Sequence, residues 1–203
     1  NPDQPAGQRV ARDSVMINGQ SLQSARDYRV TVNNYLADGG DNLPILRVLS
    51  DVTLRMIEGQ LLEIEGNGDL DIGEEDHIDI IRRKTADLFS ACLRIGAMLA
   101  GVGERKEEAL ARYGLNLGIC FQMVKPVASD LREGKLTLPV IFLLRRGGRK
   151  AMDLVQAVLS DRGFSRVSRE EMLATAREHG VLDECRALAE GYAELARQEL
   201  SAF

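Results

Sequence analysis

The chain has 203 residues, 44% of them hydrophobic but only 4% aromatic and none tryptophan, with a formal net charge of −5. That length suits one medium domain or a small one joined to another, and so aliphatic a composition, rich in Ala, Leu, Glu and Arg, favours helices over a sandwich or barrel. The acidic balance excludes a general nucleic-acid binder, which needs a basic surface for phosphates, but leaves room for a local basic pocket.

Residues 1–44 read as strand and loop. "RVARDSVMINGQSL" has short apolar pieces broken by Asn18-Gly19, a hairpin-type turn signal. "DYRVTVNNYLADGGDNLP" alternates Tyr28, Val30 and Val32 with polar residues, the period of a half-buried strand, and ends in a turn or ligand loop at Gly39-Gly40-Asp41. From about Ile45 the period becomes helical. "ILRVLSDVTLRMIEGQLLEIE" spaces Ile45, Leu49, Val52 and Met56 along one face and stops at Gly66-Asn67-Gly68.

Asp71 with Glu74 forms a capping pair for a long helix through "EEDHIDIIRRKTADLFSACLRIGAMLAG". A third helix covers about Glu104 to Val124, with Leu110, Tyr113, Leu117 and Phe121 on one face and Gly114 and Gly118 permitting close packing. Helices follow around "LTLPVIFLLRR", "AMDLVQAVLSD" and "SREEMLATAREHG", the last with Ser168 and Glu171 as capping box and Gly180 as stop. "VLDECRALAEGYAELARQEL" forms the final helix. The fold expected is mainly all-α, a helical bundle preceded by a short β-hairpin-like N-terminal segment. The change of period places a boundary near Pro44.

Cys92, Cys120 and Cys185 are widely spaced without a CxxC pair and read as reduced, buried thiols rather than a zinc site or disulfide framework. With no apolar run of the ~20 residues a spanning helix needs, and no basic-then-apolar leader, a soluble cytoplasmic protein is expected. Glu75-Asp76-x-x-Asp79 beside His77 matches a metal-binding carboxylate spacing, but reads better as acidic residues in a first helical turn, favoured by the helix dipole. His179, before a helix-ending glycine, reads as a dipole partner at a helix C-terminus.

Four blocks in order, "LSDVTLRMIEGQLLEIEGNGDLDI", "IIRRKTADLFSACLRIGAMLAG", "YGLNLGICFQ" and "DLREGKLTLPVIFLL", resemble the trans-polyprenyl diphosphate synthases, most of all the long-chain, octaprenyl-type members. The resemblance covers about residues 47–203. It implies an isoprenoid-synthase helical bundle, here partial, and Mg²⁺-dependent condensation of isopentenyl diphosphate onto an allylic diphosphate. It further implies a homodimer or an intact synthase as partner. Such chemistry needs cations on the leaving diphosphate and an apolar shelter for the chain. By the same resemblance Lys84, Thr85 and Gln122 take the catalytic positions, and Lys125 and Lys135 hold the diphosphate.

The chain departs from the family pattern where Mg²⁺ ligands are expected. The second Asp-Asp-x-x-Asp motif normally follows "FQ" directly, whereas "FQMV" runs into "KPVASDLREGK"; the first motif lies upstream of "LSDVTL", in helices without a counterpart here. The expectation is a metal site without ligands and a chain inactive alone, or a non-catalytic helical interaction module or recombined gene product. Residues 1–46 resemble the end of the C-terminal domain of 5′-nucleotidases, which implies nucleoside contacts from Asn34, Tyr35 and Asp41. An amphipathic hairpin covering an apolar face is the plainer reading of that segment.

Overall fold

Glycine and proline set most of the boundaries. The computed structural model describes residues 15–17, 19–21, 23, 26, 33–40, 43–123, 131 and 133–203. The strand expected at Tyr28, Val30 and Val32 lies outside them, as do Asp41 and Lys125. The chain divides into two compact units, Asn1–Asn33 and Asn34–Phe203. In the first, β1 (Met16–Ile17) pairs antiparallel with β2 (Gln20–Ser21), Met16 opposite Ser21 and Ile17 opposite Gln20. Gly19 at φ +77° supplies the left-handed turn residue that the Asn-Gly signal predicts.

The second unit is helical. Residues expected to be strand or loop as far as 46 instead contribute α1 (Asn34–Ala37) and the start of α2 (Pro44–Glu65). Pro44 suits a first helical position, where the missing N–H has no intrahelical partner. Next come α3 (Glu74–Ile81), a π-helical turn (Arg82–Ala86) and α4 (Asp87–Ala100), the stretch read from sequence as one uninterrupted helix. The cap of α3 is not the Asp71–Glu74 pair: Gly73 occupies that position and its N–H donates to Asp76 Oδ2 at 3.0 Å, while the Asp71 N–H is turned to Asp69 Oδ1. α5 (Glu104–Met123) lies against α4 and against α9 (Val181–Glu199). Between α5 and α9 run α6 (Leu138–Arg146), α7 (Gly148–Asp161) and α8 (Arg169–Glu178). Ser168 Oγ accepts from the Glu171 N–H at 3.0 Å, as the capping signal predicts.

The core is aliphatic, centred on Leu138, Ile141, Phe142, Val155, Val158 and Val181 where α6, α7 and α9 meet, and a smaller cluster of Ile81, Ala86 and Ile119 binds α3 and the π turn to α5. On α5 the buried line is Ala111, Gly114, Gly118 and Ile119 rather than the larger Leu110, Tyr113, Leu117 and Phe121. Small residues win that face because α4 comes too close for anything larger: a Cβ on Gly114 would sit 2.6 Å from Phe89 O. Cys92 is exposed, not buried, and Cys120 and Cys185 are half-buried. Burial and the carboxylates of Glu184 and Glu74 push the Cys185 thiol up to about 11, so it stays protonated.

Candidate functional site

The site begins with a close approach of two backbones. Gly59 faces the π turn so tightly that a Cβ there would lie 2.7 Å from the Lys84 backbone nitrogen. The π turn is closed by the Asp87 N–H on Arg82 O, a five-residue step. One extra residue in the turn changes which side chains face α2 and α5, and such insertions recur at functional sites. One turn after Gly59, α2 presents Glu63, and Lys84 Nζ donates to Glu63 Oε2 at 2.7 Å. The neighbouring Arg83 is held away from this pair by Glu58 and Asp79, each at 2.7 Å.

α5 completes the other wall. A Cβ on Gly118 would be 2.6 Å from Ala86 Cα, so α5 seats directly on the π turn. One helical turn later the Gln122 amide donates to Thr85 Oγ1. Beyond that bond the surface is apolar: Leu88 follows Thr85 by one turn, and Phe121, half exposed, packs its ring 5.7 Å from that of Phe89. Lys135 enters from the segment before α6. That segment is tied to the end of α2 by the Gly68 N–H on Gly134 O at 2.9 Å, with Gly134 at φ +85°. Lys135 Nζ lies 2.9 Å from Glu133 and 3.9 Å from Glu63.

Lys84, Gln122, Lys135, Glu63 and His77 therefore line one cleft of about 180 Å³, floored by Ile80, Ile81, Leu136 and Leu138. His77 is one that sequence reasoning set aside: the acidic run around it was read as a first helical turn favoured by the helix dipole, yet on α3 His77 lines the cleft. Burial, opposed in part by the Glu63 charge, lowers it to about 4, so it is neutral in the cleft. Its acidic neighbours are used elsewhere, Asp76 on the Gly73 N–H and Asp79 on Arg83. Glu63 was missed as well; with Glu65 two residues on, nothing in "LLEIE" singles it out. His179 ends α8, and its carbonyl accepts from Arg146 Nη1 at 3.5 Å.

Magnesium takes an octahedral shell of oxygens, with carboxylates as its usual protein ligands. The described lining of the cleft offers one carboxylate, Glu63, bound by Lys84 with a second ammonium alongside. Those residues do not fit a divalent cation. Among the described residues no group of three or more His, Cys, Asp or Glu is placed to hold a metal. Asn34 and Tyr35 are not among the residues lining the cleft: they sit on α1, which packs against α2. Tyr35 is 57% exposed, and its ring lies over Gly40. No described helix is long and apolar enough to cross a membrane.

The Polyprenyl synthetase family matches over residues 7–175, starting inside the segment compared above with nucleotidases. Octaprenyl diphosphate synthase of Haemophilus influenzae is 32% identical over 157 residues, covering 70% of this chain and 47% of its own. A decaprenyl diphosphate synthase from Rhodobacter capsulatus superposes with TM-score 0.73 at 29% identity, over 79% of this chain and 54% of that one. A polyprenyl synthase from Caulobacter crescentus, crystallised with calcium and isoprenyl diphosphate, gives TM-score 0.69 at 30% identity over 79% and 53%. The chain spans about half the length of the relatives it matches.

Proposed function

The chain belongs to the polyprenyl synthetase family, and from that premise we propose that its helical unit carries the diphosphate-holding wall of a trans-prenyltransferase site without the carboxylates that make such a site turn over. The observation that carries the reading is the convergence of Lys84, Lys135 and Gln122 on one cleft, from three separate stretches of chain. The ligands proposed are allylic and isopentenyl diphosphates. In prenyl transfer the allylic carbon–oxygen bond breaks, leaving negative charge on diphosphate and positive charge on carbon. Lys84 and Lys135 supply the ammonium groups for the first, with Lys125 as a third by resemblance. Gln122 spends its N–H on Thr85 Oγ1, which leaves its carbonyl oxygen available to a cationic carbon. Leu88 and Phe121 offer apolar surface to the prenyl chain.

The described donors do not suit the Mg²⁺ that the family uses, so condensation is expected to be impaired in this chain alone. Titrating farnesyl diphosphate calorimetrically tests the binding half of this reading. The Lys84→Ala, Lys135→Ala double variant should bind at least ~30-fold more weakly, on the scale of two charge-assisted contacts; equal affinity would remove the lysines from the site. A second reading, of a partner-bound helical module, is favoured by one observation, the exposed apolar stripe on α2. We propose a homodimer or an intact synthase as its occupant, and the cytoplasm as its compartment. Nucleoside contacts from Asn34, Tyr35 and Asp41 stay part of the proposal; a division at 46/47 would cut the first turn of α2, and α1 packing on α2 favours counting residues from 34 onward with the helical unit.

A further inference from the structure

The geometry points to Glu63 as a built-in occupant of the diphosphate seat, an internal carboxylate that an incoming anion must displace and that therefore sets the charge an anion needs to enter. This rests on the reading of Lys84 and Lys135 as diphosphate-holding residues. Glu63 Oε2 is 2.7 Å from Lys84 Nζ and 3.9 Å from Lys135 Nζ, so its negative charge sits at both ammonium groups that an incoming diphosphate would bridge and opposes its entry. The Glu63 and Lys84 side chains are only 20% and 32% exposed, and Ile72, Ile80 and Ile81 are beside them. Screening there is weaker than at an open surface, so the pair holds more firmly than an exposed one.

The backbone carrying Glu63 cannot withdraw, because Gly59 pins α2 to the π turn one turn away. Only the side chain is able to swing, and Gln60 Nε2, already 3.3 Å from the same oxygen, gives it a neutral partner outside the lysine pair. Lys135 is held less exclusively: Glu133, 60% exposed, shares it at 2.9 Å. A multiply charged diphosphate spanning both ammonium groups outcompetes a single carboxylate. A smaller or less charged anion, reaching one ammonium only, does not.

The test is a calorimetric titration of the whole chain with inorganic pyrophosphate and, separately, inorganic phosphate in metal-free buffer. It compares wild type with Glu63→Gln, Glu63→Asp and Lys84→Ala, each shown folded by circular dichroism. Glu63→Gln should bind pyrophosphate about tenfold tighter or better, on the scale of one partly buried ion pair. It should also bind phosphate measurably where wild type does not, while Glu63→Asp stays near wild type. Glu63→Ala makes the same comparison if the glutamine variant does not fold. Equal or weaker binding on neutralising Glu63, with Lys84→Ala still damaging, overturns the inference and leaves the seat standing. Binding indifferent to Lys84→Ala, or absent from every variant, removes the seat and the inference together.

Discussion

Burial keeps the His77 imidazole neutral in a cleft that otherwise holds two ammonium groups, and this has a consequence for stability. Its folded pKa is about 4, against 6.5 for an unhindered histidine. Between those values the unfolded chain takes up a proton that the folded chain refuses. Stability contributed at this residue is therefore complete above about pH 6.5, falls as pH drops toward 4 and levels off below. The loss amounts to about 2–3 kcal/mol over that window. Thermal unfolding of wild type and His77→Leu at pH 7.5, 5.5 and 4.0 checks it: the difference between the two proteins should shift in favour of the leucine variant as pH falls. A constant difference would mean that His77 titrates freely. Neither His77 nor Glu63 was legible as a site residue, because helical periodicity tells which residues share a face and not which neighbour that face meets.

At the level of elements, α2 carries two stripes. Val52 and Gly59 are buried, whereas Leu54, Ile57, Leu61 and Ile64 are 54–61% exposed at three- and four-residue spacing. Apolar side chains arranged in a line on one helix mark an interaction surface when nothing in the fold covers them. Sedimentation velocity should show wild type associating with rising concentration and an Ile57→Glu, Leu61→Glu variant sedimenting as a monomer; a wild type monomeric throughout would leave the stripe without the proposed role. The helices themselves were largely legible, since proline at the first position of α2, the Ser168 cap and left-handed Gly101 and Gly180 are local signals. The π turn at "RRKTA" was not. A single five-residue step leaves the apolar pattern on either side nearly intact, so sequence reads through it as one helix. On α5 the close approach was legible at Gly114 and Gly118, whereas Ala111 and Ile119, buried beside them, were passed over by a face chosen for its larger side chains.

For the molecule as a whole, the core of α6, α7 and α9 and the cleft share Leu136 and Leu138 but have different origins. The core follows from composition and apolar spacing, and was legible as an aliphatic helical bundle. The cleft depends on three backbone contacts made by Gly59, Gly118 and Gly134, each joining segments distant in sequence. The resemblance of the motifs supplied what spacing could not, bringing Lys84, Gln122 and Lys135 to one address. Lys125 and Asp41 lie outside the described residues. We propose a diphosphate seat whose described lining offers too few carboxylates to support prenyl transfer. The most direct test incubates the purified chain with farnesyl diphosphate, labelled isopentenyl diphosphate and Mg²⁺, and extracts the prenyl products. Label should stay in isopentenyl diphosphate with none in longer prenyl chains; robust chain elongation would show that the site turns over as it stands.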